Sequence, residues 1–142
     1  MKKRFVTYSE SETHDVAKAL ASYTPTGIVI ILKGELGAGK TAFVRGFCEH
    51  FGINEISSPT FTIVNEYIGD IRVYHIDVYR LTIDDIGLYE YLEDNTAISL
   101  VEWGFDGIGD IVVEIEGCGD EKRHITITQV KKDGRFDEYF SN

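Results

Sequence analysis

Eight consecutive residues, Gly34-Glu35-Leu36-Gly37-Ala38-Gly39-Lys40-Thr41, satisfy the pattern G-x-x-x-x-G-K-[ST] at every fixed position. Each residue type has a chemical reason to be there. The glycines let backbone N–H groups wrap around phosphate oxygens, the lysine brings a point charge to the β and γ oxygens, and the threonine hydroxyl is a hard ligand for Mg²⁺. A loop of this kind still needs an acidic partner for the metal or the attacking water. Two carboxylates stand near the ends of apolar runs, Asp77 in HIDVYR and Glu102 in ISLVEW. Glu102 reads as the carboxylate nearer the metal, with Asp77 orienting water or completing the metal's surroundings, although the two roles could be exchanged.

Thr60, in Ser58-Pro59-Thr60-Phe61, lies after the helix that the loop should open, where segments that sense a γ-phosphate often lie; an ordinary proline turn is the plain alternative. Trp103, next to Glu102, either stacks near the site or packs. His75 flanks Asp77 but has no Ser or Cys partner for a hydrolase triad, so it reads as structural or as support behind the metal-facing residues. His14, His50 and His124 are scattered without metal-site spacing, and Cys48 and Cys118 form no CxxC or Cys/His pattern. Cys48 reads as a small core residue.

The elements that must position these residues follow from periodicity. Ile28 to Leu32 is a continuous β-branched and leucine run, as expected of a parallel strand covered on both faces, and it feeds the loop. Phe43, Val44, Phe47, Cys48 and Phe51 then keep helical spacing until Gly52. Upstream, Phe5 to Tyr8 reads as a strand, and Ser9 with Glu12 as a capping box for a helix whose apolar face is Val16, Ala17, Ala19, Leu20 and Tyr23, ended by Pro25 to Gly27. Phe61 to Ile68 and Ile71 to Tyr79 read as a hairpin closed by a type II′ turn at Gly69-Asp70; pairing Ile68 with Ile71 sets Thr62 opposite Asp77 and Thr60 near Tyr79. Thr82 and Asp85 cap a short helix to about Leu92, Ala97 to Trp103 is a buried strand, and Ile111 to Ile115 and His124 to Thr128 are two more, with peripheral residues after them. The expected fold class is α/β: a P-loop NTPase-like three-layer fold with a mixed, mainly parallel central sheet and an antiparallel hairpin, as a single domain over residues 1–142.

Composition narrows the partners. The 142 residues include 24 Asp plus Glu against 14 Lys plus Arg, a formal charge of −10 that repels a nucleic-acid backbone at long range. The basic clusters Lys2-Lys3-Arg4 and Lys131, Lys132 and Arg135 read as solvated ends. The start MKKRFVTYS lacks the apolar run of a signal peptide, and no stretch reaches the ~18 apolar residues of a membrane span, so a cytoplasmic protein without membrane contact is expected.

The ordered segments GELGAGKT, SPTFTIVNEY, HIDVYRL and VEW, spanning Gly34 to Trp103, closely resemble the TsaE (YjeE) ATPases of tRNA threonylcarbamoyladenosine synthesis. The resemblance implies a Mg²⁺-dependent ATPase, with ATP as its nucleotide, that resets or regulates the complex of the TsaB and TsaD proteins and meets tRNA only indirectly through it. It also implies magnesium positions at Thr41 and Glu102, functional importance at Asp77 and Trp103, and a base pocket drawing on Ser9 to Thr13 and the turn near Lys122 and Arg123. Departures are small: Glu35 stands where the family often has Asp, and Gly104 where Pro is common. A small regulatory GTPase is the first alternative, disfavoured because Asn54, Asn65 and Asn95 begin no N-K-x-D guanine reader. A small-molecule kinase is the second, disfavoured because Arg80 is the only mid-chain arginine near the proposed centre and no arginine-rich lid accompanies it.

Overall fold

The computed structural model describes residues 1–35, 37–56, 64–77, 87–103 and 106–141. Among these residues seven strands form one sheet: β1 (Lys2–Thr7), β2 (Val29–Lys33), β3 (Val64–Ile68), β4 (Arg72–Asp77), β5 (Ala97–Glu102), β6 (Ile111–Gly117) and β7 (Arg123–Gln129). Their spatial order is β1-β7-β6-β2-β5-β4-β3. The centre is parallel, with β2 between β6 and β5 and β5 beside β4, while both flanks are antiparallel. The fold is therefore the expected α/β type with a mixed sheet.

Helices α1 (Glu10–Tyr23) and α2 (Lys40–Glu49) cover one face and α3 (Leu88–Leu92) the other, which is why β2 needs no polar alternation. Ile30, Leu32, Ile98 and Leu100 pack toward α1 and α2, whereas Val29, Ile31, Ile76 and Val101 join Leu88 on the opposite side. Ser9 caps α1 by accepting the Glu12 N–H at 3.1 Å, and the Glu12 carboxylate accepts the Tyr8 N–H at 3.2 Å, so the box closes one residue before the cap. Within α1, Ala17, Leu20 and Ala21 are buried; Ala19, expected on that face, is exposed because Ala21 lies nearer the centre of the apolar stripe.

Two further expectations need correction. The hairpin pairs Ile68 with Arg72 and Val64 with Ile76, one residue away from the Ile68–Ile71 register. Gly69 lacks the positive φ that a type II′ turn requires, and its N–H is instead bonded to the Ile71 carbonyl across a three-residue loop, 69–71. The one-residue shift exchanges the faces on which cross-strand partners meet, and Thr60, Thr62 and Tyr79 themselves lie outside the described residues, as do Thr82 and Asp85. The C-terminal segment is also not peripheral. Phe136 and Tyr139, the latter in α4 (Asp137–Ser141), are buried in the main core; the Tyr139 ring lies 5.4 Å from that of Tyr23, and its carbonyl accepts the Lys3 ammonium at 2.9 Å. Of the two basic clusters, Lys3 is thus drawn onto the Tyr139 ring and Arg135 is held by Asp133 at 2.7 Å.

Helices α1 and α2 cross tightly at Gly46, where a Cβ would lie 2.5 Å from the His14 backbone. Helix propensity alone favours Gly46→Ala by about 1 kcal/mol. The clash with rigid backbone should outweigh it and destabilise the protein by ~1–3 kcal/mol, read as a lower denaturant midpoint at unchanged slope.

Candidate nucleotide-phosphate site

β2 ends at Lys33 in the middle of the sheet, the chain turns through Gly34 to Gly39, and α2 starts at Lys40. Gly39, the residue before the helix, has φ +107°, a left-handed conformation that side chains rarely adopt, and it offers no side-chain cap to the first turn of α2. The helix N-terminus therefore keeps the partial positive charge and the N–H groups that suit an anion. Gly34, Glu35, Gly37, Ala38, Gly39, Lys40 and Thr41 are all brought to this turn, with Thr41 in the first turn of α2; Leu36 lies outside the described residues, as does Thr60.

The neighbouring strands deliver the carboxylates. Parallel pairing sets Leu32 beside Glu102 and Glu102 beside Asp77, so the last residues of β5 and β4 stand level with the strand end that opens the loop. Strand alternation puts His75 and Asp77 on the Val73 face of β4 and Glu102 on the Leu100 face of β5, both toward α2. This is the C-terminal edge of a parallel sheet, where ligands of open α/β folds bind.

A compact charged cluster results. The Glu102 Oε1 lies 3.6 Å from the Lys40 ammonium, and Oε2 lies 2.5 Å from His75 Nε2. All three side chains are buried, with Glu102 and Lys40 each only 6% exposed and His75 fully covered. The Lys40 ammonium also sits 3.9 Å from the centroid of the Trp103 ring, a cation–π contact. Trp103 reaches that position through a left-handed turn of its own, φ +66°, uncommon for a bulky residue, while its N–H bonds the Leu32 carbonyl at 3.3 Å. Burial pushes the Glu102 carboxyl upward, but the His75 hydrogen bond and the favourable electrostatics of His75 and Lys40 outweigh it and hold the group below the usual carboxylate range. Lys40 is thus engaged by protein partners in this arrangement: a carboxylate on one side and an aromatic face on the other.

Arg123, at the start of β7, is the member of this neighbourhood whose reach the sequence did not reveal. Its guanidinium donates to the Gly37 carbonyl at 3.3 Å and to the carbonyls of Asp120 and Lys122 at 2.8 Å each, which lays a cation against the loop and not only against the late turn. The signal was present in the register, since Arg123 pairs with Thr7 and Gly117, but nothing local in the sequence ties that turn to Gly37. A cavity of about 760 Å³ opens beside the loop, walled by Lys33, Gly34, Ala38 and Trp103 and by Glu114, Glu116 and His124 of the β6–β7 ribbon. Its size suits a small organic ligand.

A magnesium ion would find hard oxygen donors in the Thr41 hydroxyl and the Glu102 and Asp77 carboxylates, a set that fits an ion drawing its remaining ligands from phosphate and water. Among the described residues no group of three or more His, Cys, Asp or Glu side chains is gathered to hold a metal by itself. Cys48 is fully buried and its thiol is pushed up to about 12, as a core residue's should be. Among the described residues no helix is long and apolar enough to cross a membrane.

Comparison with known proteins finds relatives by sequence and by structure. The family model "Threonylcarbamoyl adenosine biosynthesis protein TsaE" matches residues 7–135. The tRNA threonylcarbamoyladenosine biosynthesis protein TsaE of Bacillus subtilis (strain 168) is 42% identical over 133 residues, covering 87% of this chain and 84% of that protein. Its counterpart of the same name in Aquifex aeolicus (strain VF5) is 37% identical over 130 residues, 88% of this chain and 95% of the relative. Among solved structures, the crystal structure of Bacillus subtilis YdiB superposes with a TM-score of 0.80 at 35% identity, covering 99% of this chain and 93% of that one.

Because the Glu102 carboxyl is held low, its contribution to stability is complete above its ordinary value of 4.5 and is lost as pH falls through its depressed folded value. Glu102→Gln should therefore flatten the fall of unfolding free energy below pH ~4.5, and at neutral pH should cost ~1–3 kcal/mol for the weakened Lys40 and His75 contacts. Parallel urea titrations from pH 3 to 7 check both; equal slopes in the two proteins would contradict the assignment.

Proposed function

The chain belongs to the TsaE family of threonylcarbamoyl adenosine biosynthesis proteins, which serves tRNA threonylcarbamoyladenosine formation, and from that premise we propose that it is a Mg²⁺-dependent ATPase acting with the TsaB and TsaD proteins to reset or regulate their complex. One observation carries the catalytic half of this reading. The lysine of the phosphate loop meets a buried carboxylate from the adjacent parallel strand at 3.6 Å, so a polyphosphate entering the loop has both a cation to take and an acid waiting beside it.

The chemistry of the protein's own residues follows from an exchange of partners. Separating a buried ion pair by deleting one member costs about 3–5 kcal/mol, because the other charge is left uncompensated. A triphosphate avoids that cost by offering Lys40 a new anion as the ammonium leaves Glu102 and the Trp103 ring. The N–H groups of the loop and the first turn of α2 bind the β- and γ-phosphate oxygens, and Arg123 adds positive charge beside Gly37. Thr41 and Glu102 would hold Mg²⁺, which when bound neutralises charge on the phosphate oxygens. Asp77, level with Glu102 on the next strand, orients the attacking water. Glu114 and Glu116 in the cavity wall repel phosphate but accept hydrogen bonds from ribose hydroxyls or an adenine amino group, which suits the nucleoside end of ATP.

Phosphate release from ATP, measured on the protein alone and with TsaB and TsaD, tests the proposal. Lys40→Ala should lower turnover by about 100-fold or more, and GTP should compete poorly for ATP binding. Turnover that survives Lys40→Ala, or ATP loss that strictly requires a small-molecule acceptor, would overturn the ATPase reading. Absence of both stimulation and co-purification would overturn the partnership.

A further inference from the structure

We propose that His75 is a positioning residue that presents Glu102 to the loop through one oxygen only, and that this sets the preference of the site for Mg²⁺ over the larger Ca²⁺. The inference rests on the magnesium–nucleotide reading above and names a determinant within that site. His75 stands on β4, a strand fixed by neighbours on both sides, and its ring is fully covered. Its Nε2 meets Glu102 Oε2 at 2.5 Å, and its Nδ1 is buried without a hydrogen-bond partner among the described residues.

A neutral imidazole carries one donor and one acceptor nitrogen. Placing the proton on Nδ1 would bury an unsatisfied N–H and turn two lone pairs toward each other at Nε2 and Oε2. Placing it on Nε2 satisfies Oε2 and leaves only a bare acceptor at Nδ1, the cheaper of the two faults. His75 therefore donates, and Glu102 accepts.

The two oxygens of Glu102 then have different fates. Oε1 faces Lys40 and is released when the ammonium turns to phosphate, whereas Oε2 stays bonded to a histidine that cannot leave its strand. A carboxylate offered through one oxygen suits Mg²⁺, which demands near-octahedral geometry at about 2.0–2.1 Å, and disfavours Ca²⁺, which readily takes both oxygens of a carboxylate at about 2.3–2.6 Å. A histidine that merely satisfied a buried charge would affect stability without altering this discrimination.

The test uses the single tryptophan, Trp103, as an optical probe beside Lys40. Mg²⁺ and Ca²⁺ are titrated separately into the protein with ADP, for wild type, His75→Phe, which keeps a ring without a donor, and His75→Gln, whose amide nitrogen reaches about the place of the imidazole Nε2. His75→Phe should weaken Mg²⁺ binding by ~10- to 100-fold and compress the Mg²⁺/Ca²⁺ ratio, and His75→Gln should restore most of that ratio. A folded His75→Phe protein with the wild-type ratio would overturn the inference alone. A wild-type protein that responds to neither ion with ADP would overturn the magnesium–nucleotide reading and the inference with it. Should His75→Phe fail to fold, ¹⁵N spectra of wild-type protein without nucleotide decide: a protonated Nε2 and a bare Nδ1 support the assignment, and the reverse tautomer removes it.

Discussion

A carboxylate taken almost entirely out of water has to be matched by donors and charge, and the matching of Glu102 governs how this protein is organised around its phosphate loop. His75 holds one oxygen from the strand on one side, and Lys40 holds the other from the helix that follows the strand on the other side. Neither contact is possible unless β2, β5 and β4 run parallel in this register, so that Leu32, Glu102 and Asp77 finish level. The sheet supplies position, the buried core supplies the low-dielectric surroundings that make the pairing strong, and the loop supplies the lysine that completes it. Fold stability and the proposed nucleotide site thus draw on the same few atoms.

The parts of this arrangement that were legible in the sequence are those with local causes. The apolar run before Gly34 and the 3.6-residue spacing after it announce a strand and a helix without reference to any distant residue, and Glu102 at the close of a fully buried strand could be read as an acid with a special duty. His75 was visible only as a histidine beside a candidate acid, because its partner depends on which strands become neighbours. Arg123 was visible only as a residue of a turn, because its bond to the Gly37 carbonyl joins positions linked solely through the sheet.

The corrections to the hairpin and the C-terminal segment have the same origin. Gly69-Asp70 has the composition of a two-residue turn, yet the Asp70 N–H is taken by the Phe51 carbonyl at 2.7 Å, and with that anchor the turn takes a third residue and the register moves by one. Phe136 and Tyr139 follow a charged stretch that suggests a solvated tail, but Lys3 and Tyr23 provide a carbonyl-binding ammonium and an aromatic surface from the other end of the chain. Local composition gives the propensity of a segment; contacts across the whole chain decide its surroundings.

The bond between Phe51 and Asp70 also has a mechanical side. At its start α2 grows out of the phosphate loop, near its middle Gly46 bears directly on the backbone of α1, and just past its end the Phe51 carbonyl is clamped by the hairpin. A rod of about 15 Å seated at three points along its length has little freedom to slide or tilt. A load applied at the loop therefore meets a stiff mount and falls on the side chains beside it, Lys40 and the Trp103 ring against it, rather than being spread along the helix.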